Sequence, residues 1–553
     1  MTPAPATTDV VIAGAGPVGL LLATDLGRRG IPCVLLEREA STAPWPKMDR
    51  CNARTMEFFR RMGIAEPVRA LGYPADNPMD VFICTQLAAE PLVVLRHPSV
   101  AEARAAIAGC RDGSLPLEPY QLVSQNKLEP LLKDIAEATP NVTVRYGCAL
   151  EDFTQDLTGV SVTTRTLEGD VQTLRCAYLV GADGGRSTVR KGLGVPLQGD
   201  GGLAHVVQVI FSSDDLYERI PMGRGRHYVF VDDGASTLVA QGDRKEFTLH
   251  SSLPPDTDFE PVIRELVGFD FSFDIRHIVP WRYNLLVAQR YREGRVFLAG
   301  DSAHLVIPTG GLGMNTGVGD ALDLSWKLAG MLTGWGGEAL LHSYEAERRP
   351  VGLRNRQASA WAAENVMIWR KLVQPGVPLD SEFTAAAGFH QNRMHVMRGA
   401  ELGYSYAGSP VIATEPGGAE DWDTVVYSPS ARPGARIPHM WLRDGRAVQD
   451  VLGADWTLLD LRGGDAGSAS DLDSLVAAFD EVGASLDVVR LDEADLVKVY
   501  EASLLLLRPD LHVAWRGFAA PENAVRLTRL VTGYGTPAES SVEALVAVAG
   551  SAS

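Results

Sequence analysis

The stretch GAGPVG at residues 14–19 restricts the fold of this 553-residue chain more than any other feature. It follows an apolar segment from Asp9 to Ala13 and opens a run with helical spacing that continues to about Arg29. PCVLLE comes next and ends at Glu37. A strand, a glycine turn, a helix and a second strand in this order predict a βαβ unit, because two parallel strands need such a crossover. We therefore expect an α/β domain built on a parallel sheet.

The glycine turn predicts a dinucleotide site. Gly14, Gly16 and Gly19 carry no side chains, so a pyrophosphate can approach backbone N–H groups at the N-terminus of a helix. Glu37 ends the second strand, where its carboxylate can accept hydrogen bonds from a ribose diol. Two neighbours of these groups, Pro17 and Arg38, complete this set of candidates. The turn does not distinguish NAD from FAD, because both use it.

Two further loops follow predicted strands. YLVGADGGRSTVR at 178–190 places Asp183 and Gly184 between a strand and a helix start. GDSAHLVIPTGGLGMNTG at 300–317 follows the strand-like RVFLA and contains five glycines. A loop composed mostly of backbone offers amide and carbonyl groups to a ligand without side chains in the way, and neither loop is needed for a simple NAD site.

The rest of the pattern suggests several segments around these loops. Helices are predicted at 52–63, with Asn52 as N-cap and Gly63 as stop, at 124–140, and from about Asn315 to Leu332. Strand-like runs between 203 and 290 predict a β-sheet inserted into the nucleotide-binding fold. The segment 415–439 is rich in glycine, proline and acidic residues and is the predicted boundary. Beyond it, alternating strand and helix patterns predict a separate small α/β domain.

Composition and net charge argue against several classes of binding partner. The net charge is −18 and no Lys/Arg-rich run is visible, so nucleic acid and an anionic membrane are disfavoured. No stretch is long and apolar enough for a transmembrane helix. The six cysteines are scattered without CxxC or zinc spacing, which predicts no metal site and reduced thiols in a cytoplasmic protein.

Together, the three loops resemble those of the FAD-dependent aromatic hydroxylases, the single-component flavoprotein monooxygenases related to p-hydroxybenzoate hydroxylase. The resemblance covers about residues 8–400. It implies an α/β (α+β overall) protein with a Rossmann-like FAD-binding domain at 1–75, 105–200 and 285–400. An inserted substrate-binding β-sheet domain would occupy 76–104 and 201–284.

The C-terminal part carries a second resemblance. GARIPHMWL, DWTLLDL and LLRPDLHVAWRG are similar to the thioredoxin-like domain of the larger phenol and polyketide hydroxylases. This implies a linker at 401–425 and a thioredoxin-like domain at 426–553. That segment contains no cysteine, so thiol redox chemistry is excluded there and a structural role or homo-oligomer formation is left.

The resemblance also assigns FAD contacts. It gives the ribityl chain to Asp301 and the flavin ring to the backbone from Pro308 to Asn315, which includes Gly311, Gly313 and Met314. Asp183 and Gly184 are associated with both FAD and NADPH, and Gln125 with the flavin. Many relatives have Pro-Arg where this chain has Pro46-Lys47. The basic group near the FAD phosphates is therefore Lys47 or Arg50, and a lysine cannot reproduce the bidentate fork of arginine.

The implied reaction is hydroxylation of a small aromatic substrate, phenolic or polycyclic. NADPH or NADH reduces FAD, O₂ adds to give a flavin C4a-hydroperoxide, and its distal oxygen is transferred to the ring, with the β-sheet region excluding water. A base that deprotonates a phenol would activate the ring. The catalytic candidates are Pro308 beside the flavin and His205, His227, Tyr228 and Arg224 in the substrate region.

Three alternatives stay open at this point. The same scaffold could perform epoxidation, Baeyer–Villiger oxidation or simple dehydrogenation. An NAD-dependent dehydrogenase would use only the first glycine turn and leave the other two loops unexplained. A non-catalytic flavin-binding scaffold would use the C-terminal domain for interaction.

Overall fold

The structure of the protein is a computed structural model that describes residues 6–242, 244–373, 378–417, 422–463 and 471–535. The C-terminal SAS of the sequence lies outside these residues. Among the described residues, no helix combines the length and apolar character needed to cross a membrane.

The described chain contains both strands and helices. Up to residue 200 they are β1 (Ala6–Ala13), α1 (Pro17–Arg28), β2 (Cys33–Leu36), β3 (Arg50–Cys51), α2 (Ala53–Arg61), α3 (Ala65–Leu71), β4 (Val81–Cys84), β5 (Val93–Leu95), α4 (Val100–Gly109), β6 (Gln121–Leu122), α5 (Gln125–Ala138), β7 (Val142–Arg145), β8 (Cys148–Asp156), β9 (Gly159–Thr166), β10 (Val171–Gly181), α6 (Thr188–Gly192) and β11 (Leu197–Asp200). From there to residue 402 they are β12 (His205–Ser212), α7 (Leu216–Arg219), β13 (His227–Phe230), β14 (Thr237–Ala240), β15 (Glu246–Ser251), α8 (Phe259–Val267), β16 (Asp274–Arg282), β17 (Leu285–Ala288), β18 (Arg292–Glu293), β19 (Val296–Leu298), a 3₁₀ turn (Gly300–Ser302), β20 (His304–Leu305), α9 (Gly313–Thr333), α10 (Glu338–Arg370), α11 (Ser381–Arg393) and α12 (Arg398–Leu402). The remaining elements are a 3₁₀ turn (Val448–Asp450), β21 (Trp456–Asp460), α13 (Asp473–Val482), β22 (Leu486–Arg490), α14 (Ala494–Tyr500), β23 (Leu504–Leu507), β24 (Val513–Gly517) and α15 (Ala524–Val531).

The main sheet has the order β18-β19-β10-β1-β2-β7, with β8 and β9 attached through β10. The four neighbours β19, β10, β1 and β2 are mutually parallel, so their carboxyl ends share one edge. The loops that follow these four strands are the glycine turn, the loops at 182–187 and 299–303, and the segment after Glu37. The predicted βαβ unit is confirmed, and the fold brings all three predicted loops to the edge where open α/β sheets bind ligands.

Helices α1 and α9 pack against each other beside this sheet. Both helices run through the largest apolar core, in which Leu20, Leu21 and Leu324 are fully buried. The predicted N-cap of α2 is confirmed, because the side chain of Asn52 accepts a hydrogen bond from the N–H of Thr55. The helix predicted from about Asn315 is α9, which begins two residues earlier and ends at the left-handed Gly334.

A second sheet has the order β16-β12-β15-β14-β13-β4-β5. Its strands come from within 76–104 and 201–284, so the predicted inserted β-sheet is confirmed, although the domain boundaries themselves stay a prediction. One face packs under α7 and α8 through residues such as Tyr228 and Phe230. The other face carries Val229 and Ile83 against Trp369 of α10. Neighbouring residues of one strand therefore serve opposite sides of the sheet.

The C-terminal part contains the predicted strands and helices in a small sheet of its own, while the predicted domain boundary stays a prediction. Its sheet has the order β22-β21-β23-β24, with β21 and β22 parallel and the other pairs antiparallel. Helices α13 and α15 pack together on an apolar core that also includes Trp326 of α9. This domain therefore shares its core with the first domain.

Candidate active site

The glycine turn leaves an open approach to the start of α1. Gly14 has φ +102°, and a Cβ there would collide with the carbonyl of Ala182. A Cβ at Gly19 would collide with the carbonyl of Gly14, so these two glycines allow strand, helix and neighbouring loop to meet. Gly16 differs, because a Cβ there would meet nothing within 4 Å. It is the N-cap of α1, with Pro17 following and without a side-chain cap, so the free space lies where an anion gains most from the helix N-terminus.

Glu37 is held in a fixed orientation beside this turn. Its Oε2 accepts a hydrogen bond of 2.8 Å from the N–H of Ala15, and its Oε1 accepts one of 3.0 Å from the N–H of Glu39. Arg38 points outward and pairs with Glu39 at 3.1 Å on the surface. The geometry suits the predicted ribose-binding role of Glu37. It gives Arg38 no contact with this site in the described residues.

Asp183 joins the second loop to the third. Its carboxylate accepts hydrogen bonds from the hydroxyls of Ser187, at 2.6 Å, and Ser302, at 3.0 Å, and from the N–H of Thr188 at 2.6 Å. Gly184 follows with φ +77° and allows the turn into α6. These contacts give Asp183 a role in positioning the loops. Contacts of Asp183 and Gly184 with FAD or NADPH stay predictions.

Asp301 lies in the 3₁₀ turn at the start of the third loop, where solvent reaches it. Its side chain is reached by solvent, yet protein surrounds it closely enough that burial raises the pKa of its carboxyl. The charges of His304 and Lys47 oppose this shift. Within the described residues its carboxylate makes no hydrogen bond. A carboxyl group that solvent reaches and that has no hydrogen-bond partner in the described residues fits the predicted contact with the hydroxyls of a ribityl chain.

His304 has a structural role in this loop. Its ring is buried, and Nε2 lies 2.8 Å from Oδ2 of Asp320. The same carboxylate oxygen accepts a hydrogen bond of 3.0 Å from the N–H of Gly300. Asp320, in α9, therefore fixes the loop that carries Asp301 through these two contacts.

The segment from Pro308 to Asn315 is a turn followed by the start of α9. The N–H of Gly311 donates to the carbonyl of Pro308 at 2.8 Å, and Gly311 has φ +66°. Pro308 is exposed. Helix α9 begins at Gly313 without a side-chain cap or an acidic residue in its first turn, so the N–H groups of Gly313 and Met314 stay available to a ligand.

The side chain of Asn315 fixes this segment to β3. Its Oδ1 accepts a hydrogen bond of 2.9 Å from the N–H of Asn52, and its Nδ2 donates to the carbonyls of Arg50, at 3.0 Å, and Gly311, at 2.6 Å. Both N–H groups and the oxygen of the amide thus bind within the protein. The contact of the Asn315 backbone with the flavin ring, which the resemblance implies, stays a prediction.

The two basic candidates differ in their surroundings. Arg50 is buried, pairs with Glu401 at 2.5 Å and lies 4.9 Å from the ring centre of Tyr120. Lys47 is exposed and has no ion-pair partner in the described part of the chain. Its charge opposes the burial that raises the pKa of Asp301 and that of Glu129. Lys47 is therefore near enough to both carboxyl groups for its charge to act on them.

Gln125 lies next to this lysine. Its N–H donates to the carbonyl of Met48 at 3.0 Å, and its side chain donates to the carboxylate of Glu129. Glu129 also accepts a hydrogen bond of 3.2 Å from the N–H of Ala43. The structure thus places Gln125 beside Met48, the residue after Lys47. The contact of Gln125 with the flavin stays a prediction.

The catalytic candidates of the substrate sheet lie in different surroundings. His205 is exposed at the start of β12. The hydroxyl of Tyr228 donates to the carbonyl of Gly223 and accepts from the N–H of Gly225, both at 3.0 Å, and its ring stacks on Phe82 in the core under α7 and α8. Arg224 is half-exposed and pairs with Glu218. These contacts do not support catalytic roles for His205, Tyr228 or Arg224.

His227 faces the other side of the sheet and belongs to a cluster of histidines. Its ring centre lies 5.2 Å from that of His395, which in turn lies 5.5 Å from that of His97. Nδ1 of His227 and Nε2 of His97 are buried without a hydrogen-bond partner in the described residues. His250 and Arg226 complete the cluster, as their charges act on His227. We call these five residues the histidine cluster.

No pattern in the sequence predicted this cluster. Its members come from β13, from β15, from the segment after β5 and from the segment after α11, so no local pattern marks them. The one available signal was strand alternation, which places His227 and Tyr228 on opposite faces. An unpartnered buried nitrogen becomes visible only in three dimensions.

The tautomer of His395 is fixed by its neighbours. The indole Nε1 of Trp369 donates to Oε1 of Gln391 at 3.0 Å, which turns the amide nitrogen towards His395. Gln391 Nε2 then donates to Nε2 of His395 at 3.2 Å. Nδ1 of His395 is therefore the protonated nitrogen of a neutral ring, available as a donor.

Burial and nearby charges keep the four imidazoles of the histidine cluster neutral. Burial, followed by the charge of Arg226, lowers the pKa of His97 to about 4 and that of His227 well below its ordinary value. Burial also lowers the pKa of His395 and of His250, with Asp49 partly opposing the shift of His250. Arg226 forms long contacts of 3.2–3.3 Å with Asp49, and its Nε has no partner in the described residues. At neutral pH the site thus offers uncharged imidazoles beside a cation.

The histidine cluster borders the loop at 308–315. The side chain of Arg50 packs at 3.1 Å from the Cβ position of Gly311, and its charge acts on His97 and His395. Met397, two residues after His395, packs against Gly310. A ligand in contact with that loop would therefore have neutral imidazoles and two guanidinium groups near it.

Comparison with known families matches both parts of the chain. Residues 7–359 match the model described as FAD binding domain, and residues 430–536 match the one described as Aromatic-ring hydroxylase, C-terminal. The first match alone covers more than half of the sequence.

Curated relatives cover nearly the whole chain. The FAD-dependent monooxygenase apdD of Emericella nidulans is 32% identical over 95% of this chain and 90% of its own length. Aklavinone 12-hydroxylase RdmE of Streptomyces purpurascens is 32% identical over 94% and 97%. A 4-methyl-5-nitrocatechol 5-monooxygenase of Burkholderia sp. is 31% identical over 93% and 95%.

Solved structures show the same architecture. The rebeccamycin biosynthetic enzyme RebC with reduced flavin has a TM-score of 0.86 at 30% identity, over 96% of this chain and 100% of the other. Aklavinone-11 hydroxylase in a ternary complex with FAD and aklavinone has a TM-score of 0.76 at 30% identity, over 95% and 99%.

Proposed function

The chain belongs to the FAD-dependent aromatic-ring hydroxylases, and from that premise we propose that its substrate is a phenolic or polycyclic aromatic compound bound as the phenolate. The protein is a FAD-dependent monooxygenase that hydroxylates aromatic rings. The observation that carries the substrate proposal is the cluster of neutral histidines beside Arg226. Epoxidation, Baeyer–Villiger oxidation and a scaffold role have no comparable support.

The protein contributes the binding and orientation of the cofactor. Bound FAD supplies the redox chemistry, accepting a hydride from NADPH or NADH and delivering one oxygen atom of O₂ to the aromatic ring. The open N-terminus of α1 at Gly16 would hold its pyrophosphate, and Glu37 its ribose. Asp301 would hold the ribityl chain, and the uncapped start of α9 would face the flavin ring.

We assign the basic group near the FAD phosphates to Lys47. Arg50 is held by Glu401 and packs on the loop at 308–315, so a shift towards the phosphates would break a buried ion pair. Lys47 is exposed, its charge acts on Glu129 and Asp301, and it has no ion-pair partner in the described residues to lose when it binds an anion. As a point charge, it neutralises the pyrophosphate without a bidentate geometry.

The histidine cluster would accept the phenolic proton. The unpartnered Nδ1 of His227 can accept a hydrogen bond from a phenol, because the ring is neutral and this nitrogen has no donor nearby in the described residues. The low pKa of these imidazoles means that the proton does not remain on them. It is released to solvent on the side of His97, which is only partly buried. The phenolate left behind is stabilised by Arg226.

Ionisation of the phenol raises the electron density of the ring, which favours its attack on an electrophilic oxygen atom. The imidazoles therefore need not be strong bases, since the cationic Arg226 and Arg50 lower the free energy of the ionised substrate. The protein in this way separates two tasks: the glycine loops hold the cofactor and the histidine cluster prepares the ring.

We keep the cytoplasm as the proposed location and NADPH as the proposed reductant. All six cysteines are free thiols, which supports a reducing compartment. The net charge of −18 supports a small-molecule substrate over nucleic acid. Homo-oligomer formation stays a prediction.

The test is a panel of matched aromatic compounds. Hydroxynaphthoquinones and hydroxyanthraquinones should stimulate NADPH oxidation, and ¹⁸O₂ should label the hydroxylated product. Their O-methyl ethers bind the same apolar surface but cannot ionise, so they should stimulate oxidation weakly and give little product. Peroxide measured in parallel separates coupled turnover from leakage. Equal product from phenols and ethers would contradict the phenolate proposal, and absence of product from every compound would contradict the proposed substrate class.

A further inference from the structure

A buried charge network joins the C-terminal domain to the flavin loops. Its centre is Arg508, in the turn between β23 and β24, whose side chain is fully buried. Nη1 of Arg508 binds Glu347 of α10 at 2.7 Å, and Nη2 binds Asp323 of α9 at 2.8 Å. Nη2 also contacts Asp510 of its own turn at 2.7 Å. One guanidinium of the C-terminal domain thus reaches carboxylates on both long helices of the FAD domain.

Aromatic rings enclose this guanidinium. Its carbon lies 4.9 Å from the ring centre of Trp326 and 5.0 Å from that of Tyr406. Such an enclosure excludes water, which strengthens the ion pairs and makes an unpaired charge costly. The side chain of Arg508 cannot therefore leave without exposing two carboxylates to an apolar interior.

The FAD domain does not balance these carboxylates by itself. Lys327 is buried and binds Asp323 at 2.8 Å and Glu347 at 2.6 Å, so one ammonium serves two carboxylates. Arg508 and Lys327 together lower the pKa of Glu347 to about 2 despite its burial. Without Arg508, two carboxylates would face each other across a single lysine.

The network continues to the loop that carries Asp301. Arg348 follows Glu347 in α10 and binds Asp320 at 2.8 Å through Nε and the carbonyl of Thr316 at 2.8 Å through Nη2. Thr316 lies in the first turn of α9. Asp320 in turn holds the N–H of Gly300 and the ring of His304. A displacement of α10 at Glu347 would therefore be transmitted by Arg348 to two places: the first turn of α9 and the loop that carries Asp301.

From this continuity we infer that the C-terminal domain is part of the flavin site, with Arg508 as a positioning residue that holds α9 and α10 in the arrangement FAD requires. The domain then has a role that needs neither thiol chemistry nor a partner protein. Arg508 touches neither FAD nor substrate and acts through Glu347, Asp323 and Arg348.

A matched control is available at the same interface. Arg436 of the C-terminal domain is also fully buried and pairs with Glu57 of α2. It makes no contact with the carboxylates of α9 or α10 among the described residues. Loss of either arginine removes a buried ion pair between the domains, but only loss of Arg508 interrupts the path to Asp320.

The experiment compares FAD affinity in the full-length chain. Apo-protein of wild type, Arg508→Met, Arg508→Lys and Arg436→Met is titrated with FAD, followed by flavin fluorescence, and the visible spectrum of the bound flavin is recorded. We expect Arg508→Met to weaken FAD binding about tenfold and to shift the flavin spectrum. Arg508→Lys should restore part of the affinity, and Arg436→Met should lower the melting temperature with less than about a twofold change in FAD affinity.

A charge-balanced double variant covers the case in which Arg508→Met does not fold. Combining it with Asp323→Asn removes one carboxylate together with the cation, and we expect this protein to fold and to bind FAD more weakly than Arg436→Met, because the link from the C-terminal domain to α10 is lost. The inference is overturned if Arg508→Met folds and keeps wild-type affinity and spectrum, or if it resembles Arg436→Met in all measurements. It is equally overturned if the double variant folds and binds FAD with wild-type affinity.

Discussion

The cofactor site proposed at the edge of the main sheet and the substrate site proposed at the histidine cluster are built from different parts of the chain. At the edge, backbone groups form the site, and glycines keep side chains out of it. In the cluster, side chains from four distant segments form the site, and the backbone only carries them. The first kind of site is written in continuous stretches of sequence, while the second exists only after the substrate sheet has folded against α10 and α11.

This contrast has an energetic side. Backbone amides at a helix N-terminus are oriented by the helix itself and need no further support. Neutral imidazoles near Arg226 must be held by packing, since water would otherwise solvate them and restore their ordinary pKa. We therefore expect substitutions at the sheet edge to act by steric collision and substitutions in the cluster to act through protonation.

The largest effect should come from Gly19→Ala. The added Cβ would overlap the carbonyl of Gly14, and because both atoms belong to the βαβ junction, α1 must move away from β1. Overpacking of this kind costs about 3 kcal/mol of folding stability, and because the displaced α1 no longer presents its N-terminus to the phosphates, we expect FAD binding to weaken about a hundredfold. Titration of the apo-protein with FAD measures the affinity, and thermal unfolding measures the loss of stability.

Gly16→Ala is the control that distinguishes a clash with the protein from occupation of the space proposed for the pyrophosphate. Its Cβ would meet no protein atom within 4 Å, so the apo-protein should unfold at nearly the wild-type temperature. The methyl group would still occupy part of the space proposed for the pyrophosphate, and FAD binding should weaken. If Gly16→Ala bound FAD as tightly as wild type, the open space at α1 would not be the phosphate site.

The next largest effect should be that of His227→Leu on turnover. Loss of the imidazole removes the proposed acceptor of the phenolic proton, and general-base contributions of this kind are about a hundredfold or more in kcat/KM. The loss should be greatest below the pKa of the substrate and should disappear as the pH rises, because the phenol then ionises without help. The measurement is kcat/KM for one hydroxyanthraquinone across the pH range.

Tyr228→Phe is the matched control from the neighbouring position of β13. Its hydroxyl bonds only to the backbone of Gly223 and Gly225 on the opposite face of the sheet. We expect it to lower the unfolding free energy by about 1 kcal/mol and to leave the pH profile unchanged. Identical pH profiles for wild type and His227→Leu would remove His227 from the proposed proton path.

These two sites also show which features were predictable from the sequence. The glycine turn, Glu37 and the loops at Asp183 and Asp301 each follow a predicted strand, and the resemblance to the aromatic hydroxylases brought them together; the structure shows that these strands belong to one parallel sheet. Asn315 was assigned to the flavin loop through its backbone, but its side-chain hydrogen bonds to Asn52 and Arg50 were not foreseen.

The histidine cluster could not be predicted, because nothing in the sequence relates His97 to His395. The same limit applies to Arg508. Its partners Asp323 and Glu347 lie far away in the chain, and their meeting depends on the docking of a complete domain. Short-range patterns define which backbone segments form a site, whereas buried ion pairs and tautomers depend on packing that no local pattern encodes.

Asp301→Asn should produce an intermediate effect with two opposite parts. The carboxyl group of Asp301 has a raised pKa in the folded state because of burial, so its ionised form destabilises the apo-protein once the pH exceeds the ordinary value of 3.8. The amide removes this cost, and the melting temperature of the apo-protein at neutral pH should rise. FAD affinity should fall about tenfold, since a charge-assisted acceptor for the ribityl hydroxyls is lost.

The pH dependence checks this explanation. Stability of wild type should decline relative to Asp301→Asn as the pH rises from 3.8 through the raised pKa of the carboxyl, and the difference should then remain constant. Parallel stability curves throughout this range would contradict burial as the cause. A rise in FAD affinity on substitution would show that the carboxylate repels the cofactor.

The smallest effect should be that of Arg224→Ala, which tests a candidate that strand position suggested and contacts do not support. The guanidinium pairs with Glu218, and both side chains are about half exposed, at 47% and 48%. Pairs of this kind contribute about 0.2–1 kcal/mol to stability, and we expect kcat/KM to change less than about twofold. A tenfold loss would mean that the exposed edge of the substrate sheet takes part in turnover. The division between a backbone-built cofactor site and a buried side-chain cluster would then omit a third functional surface, because a surface arginine can act on the reaction only if that edge closes over the substrate.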